Sequence, residues 1–145
     1  MKIVINKCFG GFSLSHAAVL RYAELSGFTL YPWIDHITRQ VYKDRARVDN
    51  PDILKHYSRV PVDDLPLNEY GDPRIPDGAY FNDGDIERHD PILVRVIEEM
   101  GAGHRTGASG MYASLKIVEI PDGTDYEIAE YDGREHIAQK HETWS

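Results

Sequence analysis

Residues 2–15 read Lys2-Ile-Val-Ile-Asn-Lys-Cys-Phe-Gly-Gly-Phe-Ser-Leu-Ser15, a short apolar run stopped by a glycine pair and followed at once by serine. The β-branched Ile3, Val4 and Ile5 favour a strand, and Gly10-Gly11 breaks it. Ser13 or Ser15 can cap a helix running from Leu14 to Leu25, which Gly27 would end. A strand joined to a helix through glycine points backbone N–H groups and a helix dipole at one spot, and such a spot suits an anion. Asn6, Ser13, Ser15 and the Gly10-Gly11 backbone are therefore candidates for one wall of a ligand site, with Phe12 beside them. The same joint is also common in α/β folds that bind nothing there.

A chain of 145 residues is read as one domain, large enough to bury roughly two-thirds of its unfolded surface without covalent staples. One cysteine, Cys8, rules out an internal disulfide framework. The first apolar run is too short for a signal peptide, and no segment approaches the roughly 20 apolar residues of a membrane span, so the expectation is a soluble, cytoplasmic protein.

The net charge of -8 argues against general nucleic-acid binding, yet it is unevenly spread. Residues 1–60 hold nine Lys/Arg against five Asp/Glu, and residues 61–145 hold seven against nineteen. The positive charge concentrates in Arg39, Lys43, Arg45, Arg47, Lys55 and Arg59, with Tyr42 and Tyr57 interleaved. Cations among aromatic rings can hold a small phosphorylated ligand or stack a base. A solvated, neutralised face is the plainer reading of the same residues.

Further along, Phe28 to Tyr31 reads as a second strand ended by Pro32, and Pro51 forbids one continuous element through 35–60. Residues 61–90 carry four prolines and a surplus of acids, the composition of a loop-rich insertion, with Ala79-Tyr80-Phe81 as a small strand inside it. Asp90-Pro91 starts a helix ending at Gly101, whose Leu93, Val96, Ile97 and Met100 share a core face. Leu115 to Ile120 is a strand, and Tyr126 to Tyr131 another. After Asp132-Gly133 two readings stand: a hairpin strand, which is preferred, or a helix capped by Asp132 and Glu135. Together these pieces predict an α+β fold: a mostly antiparallel sheet of residues 2–6, 114–120 and 125–131, with helices 14–26 and 91–100 on one face.

No phosphate loop, dinucleotide-binding glycine motif or serine elbow occurs, and no cofactor or metal is expected. The acids from Asp83 to Asp90 lack the order of a calcium loop, and the spacing of His136 and His141 does not suit zinc.

The amino-terminal Lys-x-Val-Ile-Asn-x-Cys-x-Gly-Gly-Phe-Ser-Leu-Ser, the Asp-Pro-x-Leu-Val-x-Val-Ile-Glu-Glu-Met-Gly helix, Leu-Lys-Ile-Val-Glu-Ile-Pro-Asp and the closing Tyr-Asp-Gly-x-Glu with His and Trp resemble a family of small phage and prophage proteins. The resemblance covers both ends, not residues 32–78. It implies a viral protein of the host cytoplasm and brings no activity with it. Where the family resembles His-Arg-Thr-Trp, this chain has His141-Glu142-Thr143-Trp144, which reverses a charge.

Three function classes follow. The first is a module that binds a small phosphorylated or nucleotide-derived ligand and sequesters a host immune signal, with Asn6, Gly10, Gly11, Phe12, Ser13, Ser15, Arg39, Lys43, Arg45, Arg47, Tyr57 and His141 as its contacts. The second is an interaction module meeting a host protein through Trp33, Trp144, Phe12 or the acidic half, with homo-oligomers also open. The third is a small enzyme with Cys8 as nucleophile and His141 as base, although a lone cysteine more often packs as a small hydrophobe.

Overall fold

The computed structural model describes residues 1–42, 55–103, 107–110 and 112–140. In chain order the elements are β1 (Lys2–Asn6), α1 (His16–Ser26), β2 (Tyr31–Trp33), α2 (His36–Tyr42), β3 (His56–Ser58), β4 (Tyr80–Phe81), α3 (Pro91–Met100), β5 (Leu115–Glu119), β6 (Tyr126–Tyr131) and β7 (Arg134–Gln139). The result is an α+β fold in which, among the described residues, every strand pairing is antiparallel.

Both principal helices begin and end where their punctuation says. Ser15 caps α1, its Oγ accepting from Ala18 N at 3.1 Å, and Gly27 closes the helix in the left-handed region. Asp90 caps α3 by accepting from Ile92 N at 2.8 Å, Pro91 fills the first turn, and Gly101 ends it. The buried residues of α3, Leu93, Val94, Val96 and Ile97, join Ala18, Val19 and Ala23 of α1 in one cluster with Val4 of β1 and Leu115 of β5. That shared cluster places the two helices on one face of the β1–β5 pair.

Strand β1 is buried on both sides, since Ile3, Val4 and Ile5 are 0%, 0% and 4% exposed. Successive side chains alternate across a strand, so Ile3 and Ile5 face away from the helices. The β6–β7 hairpin packs against β1 through β7. The expectation that residues 125–131 share a sheet with residues 2–6 is not met: among the described residues β1 pairs with β5 alone, and β6 with β7 alone. The free edge of β1 explains why. Val4 N donates to Arg88 O at 2.9 Å and Asn6 N to Glu135 Oε1 at 2.8 Å, so a loop carbonyl and a carboxylate occupy the positions where a third strand would bond.

The hairpin reading of Asp132-Gly133 holds, with register Tyr131↔Arg134. Gly133 sits at φ +90, and a Cβ there would meet Phe9 O at 2.1 Å. Only glycine lets the hairpin turn approach the chain leaving β1 this closely.

Strands β2, β3 and β4 form a separate sheet with β3 in the middle. The strand expected at 28–31 lies instead at Tyr31–Trp33 and contains Pro32. Proline is tolerated because β2 is an edge strand, where a missing N–H costs no ladder bond. Phe28 N is already committed to Ala23 O at the end of α1, and Phe28 and Leu30 pack in the core. Between residues 61 and 90 the chain runs mainly through turns, interrupted by β4 and a single 3-10 turn at Asp83–Asp85 capped by Asn82.

Candidate functional site

At the glycine joint the buried polar groups are bonded within the chain. Asn6 is fully buried and its side-chain amide is saturated by backbone: Nδ2 donates to Cys8 O and Gly133 O, both at 2.7 Å, and Oδ1 accepts from Ser114 N at 2.9 Å and Cys8 N at 3.2 Å. Four hydrogen bonds exhaust what an amide can make, so the expected role of Asn6 as a ligand contact is corrected to that of a backbone clamp. Ser15 Oγ, besides capping α1, donates to Gly107 O at 2.6 Å, which uses that hydroxyl as well. Leu14 N is taken by Asp83 Oδ2 at 2.8 Å and Ser15 N by Ala108 O at 2.9 Å. The anion that the joint attracts is thus one of the protein's own carboxylates.

Gly10 lies against Tyr112, where a Cβ would come within 2.2 Å of the Tyr112 carbonyl oxygen, and Gly11 has φ +88 with open space around it. The Phe12 ring lies beneath the Arg88 guanidinium, 3.7 Å from its centroid. Ser13 packs on Gly110 and accepts its N–H through the backbone carbonyl. Cys8 is half-buried. Arg39 is exposed on α2 with its Nε donating to Ile34 O. Lys43, Arg45, Arg47, His141 and Trp144 lie outside the described residues.

Tyr57 is elsewhere, on the sheet β2–β3–β4. Its hydroxyl meets His16 Nδ1 at 2.8 Å and the two rings stack. Burial, reinforced by the Asp83 charge, pushes the Tyr57 phenol far up. Burial lowers His16, with the Lys55 charge adding to it. Both groups are therefore held neutral.

On the other face of β3 the strand register places Trp33 opposite His56 and Tyr80 opposite Ser58. The Trp33 and His56 rings stack at 4.5 Å. His56 then bridges two elements: Nε2 meets Asp35 Oδ2 at 2.8 Å and Nδ1 meets the Tyr80 hydroxyl at 2.8 Å. Asp35 is itself fixed by Thr38 N at the start of α2, 2.7 Å from Oδ1.

The Thr38 N–H is the main influence holding the Asp35 carboxyl down at about 2, burial opposes it, and His56 assists. A folded-state pKa below the unfolded value stabilises the fold above that unfolded value, and the contribution disappears as pH falls toward 2. Asp35→Asn is accordingly expected to cost on the order of 1–2 kcal/mol at pH 7, allowing for solvent screening, and progressively less as the pH drops below about 4. Urea denaturation of both proteins at pH 7 and pH 3 reads this; a gap that is constant across that range refutes it.

Beside Tyr80 opens a cavity of about 540 Å³, lined by Tyr22, Arg59, Asn82, Asp85, Glu87 and His89 among others. Arg59 follows β3 and its guanidinium lies over the Phe28 and Phe81 rings, 4.2 and 5.5 Å from their centroids. Among the described residues it has no carboxylate within ion-pair distance. Asp90, also in the wall, is engaged as the α3 cap and by the Tyr22 hydroxyl at 2.6 Å.

Of the residues singled out in the sequence, Arg59 lies in the cavity wall and Tyr57 on the opposite face of β3, whereas Asp35, His56 and Tyr80 were not among the expected contacts. No motif links positions 35, 56 and 80; they meet only through the pairing of short strands. Among the described residues no helix is long and apolar enough to cross a membrane. No family model matches the chain, and no curated protein and no solved structure matches it.

Proposed function

We propose that the chain binds a small phosphorylated, nucleotide-derived ligand in the cavity beside Tyr80. The observation that carries this reading is Arg59: a guanidinium braced on two aromatic rings, without a carboxylate partner among the described residues, at the wall of a cavity of about 540 Å³. That volume lies within the usual span for small-molecule sites, roughly 300–1,000 Å³. Arginine is suited to phosphate because its planar fork gives two parallel hydrogen bonds. Asp85 and Glu87 on the same wall supply acceptors for sugar hydroxyls or base N–H groups, and their charges disfavour a ligand with several phosphates. Tyr80 and His89 offer ring surface for a base. In a phage setting, which the sequence resemblance implies, such a site would remove a host nucleotide signal from circulation.

The test is calorimetric titration with a panel of nucleoside monophosphates and cyclic nucleotides, together with mass spectrometry of small molecules released by heat from the purified protein. Arg59→Gln is expected to weaken binding about 10–100-fold, the range for losing a charge-assisted contact, while thermal stability changes little. Unchanged affinity in that variant, or no binding by any member of the panel, removes the proposal.

One observation favours a second reading, an interaction module. Phe9, Tyr112 and Tyr131 are strongly exposed around the glycine joint, and Arg134 lies over the Phe9 ring at 5.1 Å. Exposed aromatics with arginine are the composition of a binding hot spot.

A further inference from the structure

The Asp35–His56–Tyr80 chain has a direction that follows from its hydrogen bonds. Asp35 is ionised above about pH 2 and can only accept, so His56 donates to it from Nε2. That tautomer leaves Nδ1 as an acceptor, and the group it faces at 2.8 Å is the Tyr80 hydroxyl. The phenol therefore donates its proton to the imidazole, as a nucleophile donates to its base in a triad. The stack on Trp33 holds the imidazole plane, and Thr38 N holds the carboxylate. Every member of the chain is fixed by a neighbour, and its outer end lines the cavity.

We propose that Tyr80 is a nucleophile activated by His56 and Asp35, and that it attacks the phosphorus of a phosphate ester bound in the adjoining cavity. For its substrate this rests on the binding reading above; for the reactivity of Tyr80 it does not. As the bond from Tyr80 Oη to phosphorus forms, the phenolic proton passes to His56 Nδ1. The phosphorus–oxygen bond to the leaving group breaks, and that oxygen departs with the bonding pair and then takes the proton from His56. The products are an O-phosphorylated tyrosine and an alcohol, with nothing oxidised or reduced. Burial and the charges of Asp83 and Asp35 push the Tyr80 phenol up, so the proton stays on oxygen until the base receives it during the attack. Arg59, on the same cavity wall, is available to the phosphate oxygens.

A benzenesulfonyl fluoride tests the nucleophile without any knowledge of the substrate. Tyrosine oxygen bonds to sulfur, fluoride leaves, and peptide mass spectrometry counts the label at each position. The molecule carries its own controls, because Tyr112 and Tyr131 are 71% and 78% exposed whereas Tyr80 is 50% exposed. Exposure alone makes Tyr80 the slowest of the three. The expected result is the reverse, with Tyr80 labelled about tenfold faster or more, as positioned base catalysis requires. His56→Gln and Asp35→Asn should each bring Tyr80 down to the rate of Tyr131 or below it, while Tyr112 and Tyr131 keep theirs and so report an intact fold. Labelling of Tyr80 at or below the rate of Tyr131, or a rate unmoved by either variant, overturns the nucleophile.

Bis(p-nitrophenyl) phosphate tests the electrophile. The expected product is one equivalent of nitrophenol with a phosphoryl adduct on Tyr80; a Tyr80 that sulfonylates but gains no phosphoryl group overturns the assignment to phosphorus. Nucleotide titration stands apart from both, so fast sulfonylation without nucleotide binding would refute the binding reading and leave the activated tyrosine standing.

Discussion

Glu135→Ala is expected to lower the free energy of unfolding by about 3–5 kcal/mol, the cost of stranding one member of a buried ion pair. Arg88 reaches Glu135 with two nitrogens, Nη1 at 2.5 Å and Nη2 at 2.8 Å, and the pair is largely shielded from water. The same carboxylate receives Asn6 N, so its loss also opens the edge of β1. The Arg88 guanidinium would remain over Phe12 without the carboxylate it forks onto. In a chain of this size such a loss corresponds to a fall in Tm of roughly 10–15 °C. The double variant Arg88→Met with Glu135→Leu should regain part of the stability, because an apolar pair carries no ionic desolvation penalty, while Asn6 N stays without its acceptor at a cost of about 1–3 kcal/mol. Urea denaturation of the single and double variants decides the matter. A single variant within 1 kcal/mol of the parent would mean that the pair is not shielded as the structure has it.

The other large effect is expected from an isosteric change, Asn6→Asp. The two oxygens of the new carboxyl match the shape of the amide, but the position of Nδ2 faces the carbonyl oxygens of Cys8 and Gly133 at 2.7 Å each. An acceptor set against two acceptors in a buried site loses two hydrogen bonds and adds repulsion, so a cost of about 3 kcal/mol or more at pH 7 follows. Protonation restores one donor. The folded-state pKa of the introduced group is thereby raised, and the gap to the parent should narrow as the pH falls toward 4. Denaturation at pH 7 and pH 4 measures both parts. A variant as stable as the parent at pH 7 would return Asn6 to the list of open ligand contacts.

These two residues also mark how far the sequence could be read. Elements punctuated by their own neighbours were legible: Ser15 and Gly27 around α1, Asp90, Pro91 and Gly101 around α3, and Asp132-Gly133 in the hairpin. Each of those signals acts within four residues of the element it controls. Asn6 and Gly10-Gly11 looked equally informative, yet a sequence cannot distinguish a glycine that admits a ligand from one that admits another stretch of the same chain. Here the visitor is internal, the Gly133 turn and Tyr112. Sheet membership was misread because the edge of β1 is closed by the Arg88 carbonyl and the Glu135 side chain, which leave no alternation to detect. The His56 chain draws on positions 35, 56 and 80, and its one local trace is the strand alternation that points His56 and Ser58 the same way.

The pairing of β1 with β5 sets a condition on how this chain must be made. Ile3-Val-Ile5, apolar toward both sides, leaves the ribosome roughly a hundred residues ahead of its partner strand at 115–119. At about 5–20 residues per second the interval is on the order of 5–20 s, and Glu135, which seals the other edge, comes later still. Throughout that time a short β-prone segment stands unpaired, the kind of sequence that seeds aggregation between nascent chains. Yield in the cell should therefore depend on translation rate and chaperone supply more steeply than the stability of the finished fold would indicate.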